Sequence, residues 1–145
     1  MNKGFTLIEL VVIILIVGIL AAFVVPRLNI SDYREQGFIK QSLATLRYAQ
    51  KQAIASGCNV QVDVSASGCN LNMQASAPNC NATALTNPIT SSPDFCLDSG
   101  APAGSTFAAP FTFDNIGRPS GGAKQFVLGG STIRVEAETG YTHEL

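Results

Sequence analysis

The chain has 145 residues, room for one modest domain, and this excludes a multidomain machine or a large barrel enzyme. Nine basic against ten acidic residues leave a net charge of −1, and only 13% of residues are charged, so composition points neither to a nucleic-acid footprint nor to charge-driven disorder. The hydrophobic share of 46% is unevenly spread, because 18 of the 21 residues from Phe5 to Val25 are apolar and the rest of the chain is about 40% apolar, an ordinary globular value.

As one helix, that run would span about 31 Å, enough for a bilayer core. It is longer than the core of a secretory signal and has no small-x-small cleavage site before a polar mature start. Lys3 and the amino terminus would hold the short end in the cytoplasm, with Arg27 on the far side weakening the bias. Glu9 lies near the start of the run, where an isolated carboxylate costs roughly 2.5–3.5 kcal/mol on insertion scales, so this charge is expected to need a partner.

Lys3-Gly4-Phe5-Thr6-Leu7-Ile8-Glu9-Leu10, the run to Gly18-Ile19-Leu20-Ala21-Ala22, and Pro26 resemble the N-terminus of a type IV pilin or type II secretion pseudopilin. The resemblance implies a leader of residues 1–4, cut by a prepilin peptidase between Gly4 and Phe5, and N-methylation of the new Phe5 terminus. It further implies a transmembrane and polymerisation helix over 5–26 and a periplasmic or extracellular head over 27–145. Inner-membrane anchoring, an assembly platform and other pilin or pseudopilin subunits are the implied surroundings. Glu9 would attract the Phe5 amine of a neighbouring subunit, so that two groups costly alone in lipid neutralise each other on assembly. Gly18 and Pro26 suit a helix that bends or locally unwinds, since glycine weakens a helix and proline removes a donor. Both also fit tolerated breakers of a membrane helix.

A second helix is expected from about Ser31, with Asp32 a plausible cap, to Ser56, with Gly57 as the stop. Ile39, Leu43, Leu46, Ala49, Ala53 and Ile54 recur at helical spacing and should face a sheet, with Lys40, Arg47 and Lys51 largely on the solvated side. Val60, Val62 and Val64 alternate with polar residues, Ser65 to Gly68 offer a turn, and Leu71, Met73 and Ala75 alternate again, which predicts a hairpin. Ser76 to Pro110 holds five of the seven prolines and reads as a long loop. Short strands are expected at Phe111–Asp114, Gln125–Leu128 and Thr132–Ala137, separated by Gly117–Gly122 and by Gly129 and Gly130. The expected fold is therefore α+β, a long N-terminal helix packed on a small antiparallel sheet. The C-terminal pattern from Phe111 through Gly117-Arg118-Pro119 to Thr139-Gly140-Tyr141 resembles H-type pseudopilins and FimT-like or mannose-sensitive-haemagglutinin-type minor pilins.

Cys58, Cys69, Cys80 and Cys96 all follow the apolar run, which suits an oxidised domain outside the cytoplasm. Of three possible pairings, the hairpin register disfavours Cys58–Cys69: with Val64 opposite Cys69, Cys58 sits opposite Ala75, six residues or roughly 20 Å further along. Cys58–Cys80 with Cys69–Cys96 is preferred. No metal site or cofactor is expected, since no Cys-x-x-Cys pair or nearby His completes a zinc set.

No enzyme is expected. The sole histidine, His143, lies three positions from the end, where tail mobility would make a poor general base. Asp94, Asp98, Glu136 and Glu138 follow no calcium-loop motif, and Gly117–Gly122 lacks the lysine of a phosphate loop. Between Gln52 and Gly117 there is no Lys or Arg but four Asp, so nucleic acid is not an expected partner. The preferred function is a minor pilin of a type IV pilus. The alternatives are a secretion pseudopilin and a filament-tip adhesin or DNA-uptake module.

Overall fold

The structure is a computed structural model that describes residues 4–24, 30–96 and 101–145. The chain divides into two compact units, Met1–Tyr33 and Arg34–Leu145.

In the first unit the helix α1 runs from Leu7 to Val24. Its 18 residues reach about 27 Å, and among the described residues no helix is long and apolar enough to cross a membrane. The start is two residues later than the apolar run because Thr6 acts as the cap. Gly18 sits inside α1 with open space where a Cβ would lie, so nothing nearby demands a glycine there. Pro26 and Arg27 lie outside the described residues.

The helix α2 covers Ile30–Ser56. It begins one residue before the expected Ser31 and stops where Gly57 takes φ +68°, a left-handed conformation that suits a helix end. Within the second unit α2 buries Phe38, Ile39, Ser42, Leu43, Thr45, Leu46, Ala49 and Ala53. Ile54 departs from the expectation and is half exposed. At 100° per residue it lies roughly 110° from the centre of that buried face, whereas Phe38, Ser42 and Thr45 lie within it.

Two antiparallel sheets face α2 through a shared core. The first has the order β3-β2-β1-β4, built from β1 (Val60–Ser65), β2 (Gly68–Met73), β3 (Thr83–Ala84) and β4 (Phe111–Phe113). The β1–β2 register sets Val64 opposite Cys69, as the hairpin pattern anticipates. Alternation then sends Val60, Val62, Val64, Leu71, Phe111 and Phe113 inward. The second sheet, order β5-β6-β7, contains β5 (Lys124–Leu128), β6 (Ser131–Val135) and β7 (Thr142–Glu144) and contributes Phe126, Leu128, Ile133 and Val135 to the same core. Phe111 joins the two sheets, its ring 5.2 Å from Phe113 and 6.2 Å from Phe126.

Strands β3 and β7 were not anticipated. β3 is two residues in the long loop, which is otherwise tied to the sheets by the bridges Asn70 to Asp94 and Thr106 to Val127. β7 is short and polar, and it pairs with β6 through Arg134 opposite His143. Helix α2 also holds it, because Arg47 donates from Nε and Nη2 to the Thr142 carbonyl at 3.2 and 3.1 Å and Lys40 Nζ meets Glu144 at 2.7 Å. These two cations were expected on a merely solvated face.

Candidate assembly segment and disulfide-braced head

Gly4 and Phe5 are exposed and precede the first helical turn, so the bond between them lies in irregular chain. One residue on, Thr6 caps α1. The Glu9 carboxylate accepts from the Thr6 N–H at 2.9 Å and from the Thr6 hydroxyl at 2.7 Å, while the Glu9 N–H donates to Thr6 Oγ1 at 3.3 Å. This is a reciprocal capping box, in which Thr and Glu three residues apart satisfy otherwise orphaned donors of a helix start. Glu9 therefore has a partner inside its own chain, which a reading of it as an isolated charge missed. The spacing Thr6-x-x-Glu9 ahead of an apolar run was the available signal. Beyond it the described side chains of α1 are exposed and apolar all round, apart from Glu9 and Gly18, and such a helix requires cover.

In the head, Cys58 bonds Cys80 and Cys69 bonds Cys96, with Cα separations of 5.7 and 5.1 Å. The first bond joins the residue after the α2 stop to the start of the long loop, and the second joins the core face of β2 to its middle. All four cysteines are buried. Asp94 organises the second bond, its Oδ1 accepting from the backbone N–H groups of Cys69 at 3.0 Å and Cys96 at 2.9 Å. A Cβ at Gly68 would meet the Asp94 carboxylate at 2.6 Å, so close approach requires glycine at that point. The acid considered as a possible ligand is thus a backbone clamp.

The other acids are dispersed. Glu136 pairs with Arg134 at 3.0 Å, Asp114 accepts from the N–H groups of Ile116 and Arg118 to shape the Gly117 turn, and Asp98 lies outside the described residues. Among the described residues no group of three or more His, Cys, Asp or Glu is placed to hold a metal ion. His143 is not on a loose tail. It sits in β7, stacked on Tyr141 with centroids 5.3 Å apart and Nε2 3.8 Å from Glu136, with its Nδ1 buried and unpartnered. Strand pairing fixes it, a long-range effect invisible from its position near the terminus.

At Glu144 the Lys40 ammonium, with help from the Ser131 hydroxyl, holds the carboxyl below its ordinary value. The C-terminal strand is thus fastened by hydrogen bonds to both neighbours.

Residues 1–25 match the prokaryotic N-terminal methylation motif. Over 48 residues the chain is 46% identical to the type IV narrow pilus major component PilA5 of Thermus thermophilus, a stretch covering 32% of this chain and 41% of that protein. The chain thus matches about two-fifths of that relative's length. No solved structure gave a significant match. The methylation motif thus lies on the segment that forms the capped apolar helix, and over about a third of its length the chain is similar to a type IV pilus component.

Proposed function

We propose that the chain is a prepilin that becomes a structural subunit of a type IV pilus, as a minor component. The observation that carries this reading is the coincidence of the methylation motif with a capped helix whose apolar side chains are exposed all round. Prepilin peptidase cuts between Gly4 and Phe5, leaving 141 residues with a methylated amine at Phe5. The apolar segment from Phe5 to Pro26 anchors the subunit in the inner membrane, N-terminus in the cytoplasm, until the assembly platform draws it into a filament. There neighbouring helices replace lipid as its cover.

Glu9 has two partners in this scheme. Thr6 satisfies the carboxylate in the single subunit, which lowers the cost of holding it in lipid, and the Phe5 amine of a neighbour joins it on assembly and sets the axial register. Gly18 and Pro26 give the helix points at which to bend during that transfer. The name of the relative, a narrow pilus component, favours a pilus over a secretion pseudopilus. The minor role rests on the C-terminal strand pattern from Phe111 to Tyr141.

Intact mass of the protein from sheared filaments and, separately, from membranes tests the proposal. The expected species is a chain starting at methylated Phe5, scarce relative to the main subunit, and four hydrogen atoms heavier after reduction of its two disulfides. An uncut Met1 chain confined to membranes with an active peptidase present would refute it.

A further inference from the structure

The two disulfides interleave. Cys58 bonds Cys80 across 22 residues and Cys69 bonds Cys96 across 27, so no cysteine is bonded to its neighbour in the sequence. The fold also keeps the two bonds apart. With Val60 opposite Met73 and Val64 opposite Cys69, Cys69 lies by the turn of the β1–β2 hairpin and Cys58 beyond its open end, roughly 20 Å away. Each of the four other pairings joins one end to the other, far beyond disulfide reach, and must be broken before the head can close.

An unfolded chain favours those other pairings. Closing a loop becomes about threefold less frequent for each doubling of its length, and Cys58–Cys69 and Cys69–Cys80 each span about 11 residues. By that measure only about a fifth of first-formed bonds are native. Folding first does not remove the difficulty. A protein oxidase works through a mixed disulfide with a chain sulfur, and in the packed head Cys69 is 0% and Cys96 2% exposed. Oxidation of this pair therefore precedes packing, when the shorter loops compete. Two wrong bonds cannot then be corrected from within, because exchange needs a thiolate and a chain with four cysteines in two bonds has no thiol left.

We propose that the chain is a substrate of a thiol–disulfide isomerase, acting between oxidation and completion of the head. Each oxidation passes two electrons and two protons to the disulfide of a dithiol oxidase. From the pairing Cys58–Cys69 with Cys80–Cys96, the isomerase thiolate attacks the Cys58 sulfur, forming a mixed disulfide and freeing the Cys69 thiolate. Cys69 attacks Cys96 and expels the Cys80 thiolate, which attacks Cys58 and releases the isomerase as the thiolate it began as. No net oxidation occurs. The fold then selects the native pairs, because Asp94 Oδ1 accepts from the N–H groups of both Cys69 and Cys96 and the Phe95 N–H donates to the Cys69 carbonyl at 2.9 Å. None of this depends on the filament role of the N-terminal helix.

For the test, full-length reduced chain is diluted from denaturant into detergent containing diamide. After removal of the oxidant it is kept without thiol or given a catalytic amount of reduced protein disulfide isomerase. Cyanogen bromide cleavage at Met73 and enzymatic cleavage before Asp63 and Asp94 leave each cysteine on its own peptide, so pairing is read by mass. Native pairing should start well under the third that equal chance among three connectivities gives, stay there without thiol, and rise at least threefold with the isomerase. The double variant C58S/C80S can form only Cys69–Cys96 and should close that bond equally with and without the isomerase. Native pairing above a third straight after oxidation would overturn the proposal. So would recovery without thiol, no rise with the isomerase, or isomerase dependence in the double variant.

Discussion

In α1 the apolar side chains are open, Leu7 81% and Ile14 61% exposed, while in the head Phe38, Phe113 and Phe126 are sealed to 1% or less. The first region owes its helix to local bonds: the Thr6–Glu9 cap and backbone hydrogen bonds along an unbroken apolar run. The second owes its form to partners far apart in sequence, such as Arg47 with Thr142 and Cys69 with Cys96. One stretch leaves its apolar side chains open and the other covers its own. The same chemical character, apolar side chains, is thus left open in one place and forms a core in the other, and the proposed role in assembly rests on the first.

Substitutions should separate the two. The largest effect is expected from Glu9→Ala, which should abolish filament incorporation while leaving head stability and leader cleavage intact; incorporation at the normal level in sheared-filament blots would end the proposed intersubunit role. Thr6→Ala sharpens this, because it removes the in-chain cap, worth about 1 kcal/mol of helix stability, yet keeps the carboxylate. It should still assemble, and failure equal to that of Glu9→Ala would assign Glu9 to helix capping alone.

Next in size, Phe113→Ala should destabilise the head by about 3–5 kcal/mol through lost burial and a cavity between the sheets, measured by denaturant unfolding of the processed chain. Processing at Gly4 should not change. Replacing both Cys69 and Cys96 with serine should cost about 2–4 kcal/mol and loosen the loop around Asp94, seen as faster backbone hydrogen exchange at Cys69 and Phe95, whose N–H groups are bonded across that junction. Unaltered exchange there would show that Asp94 alone holds the loop.

The smallest effect concerns Glu144. Its carboxyl titrates below the ordinary value because it is bonded to Lys40, so the stabilising contribution is present above the unfolded carboxylate pKa near about 4.3 and is lost as pH falls through the lower folded value. Lys40 is largely exposed, so the pair is worth below about 1 kcal/mol. Glu144→Gln should therefore lower the melting temperature slightly at neutral pH and not at all below that window; an equal loss at both pH values would indicate packing rather than charge.

Much of the architecture was legible from the residues. Alternation of Val60, Val62 and Val64 with Gln61 and Asp63 dictated one buried face, and the turn residues set the register that puts Val64 opposite Cys69. The long apolar run and Gly57 marked one helix and the end of another. Thr6 and Glu9, three residues apart ahead of an apolar run, carry the capping-box signal as well, a local bond that satisfies the carboxylate before any second subunit is involved.

What the sequence determined by itself was everything governed by neighbours in the chain: periodic burial, helix ends and the methylation motif over residues 1–25. Tertiary structure alone decided β3 and β7, the placement of His143, the exposure of Ile54, and the duty of Lys40, Arg47 and Asp94 as internal fasteners. The physical reason is that short polar segments carry no hydrophobic period. Their conformation follows from which backbone donors and acceptors a sheet edge or a helix side chain presents once the core has formed.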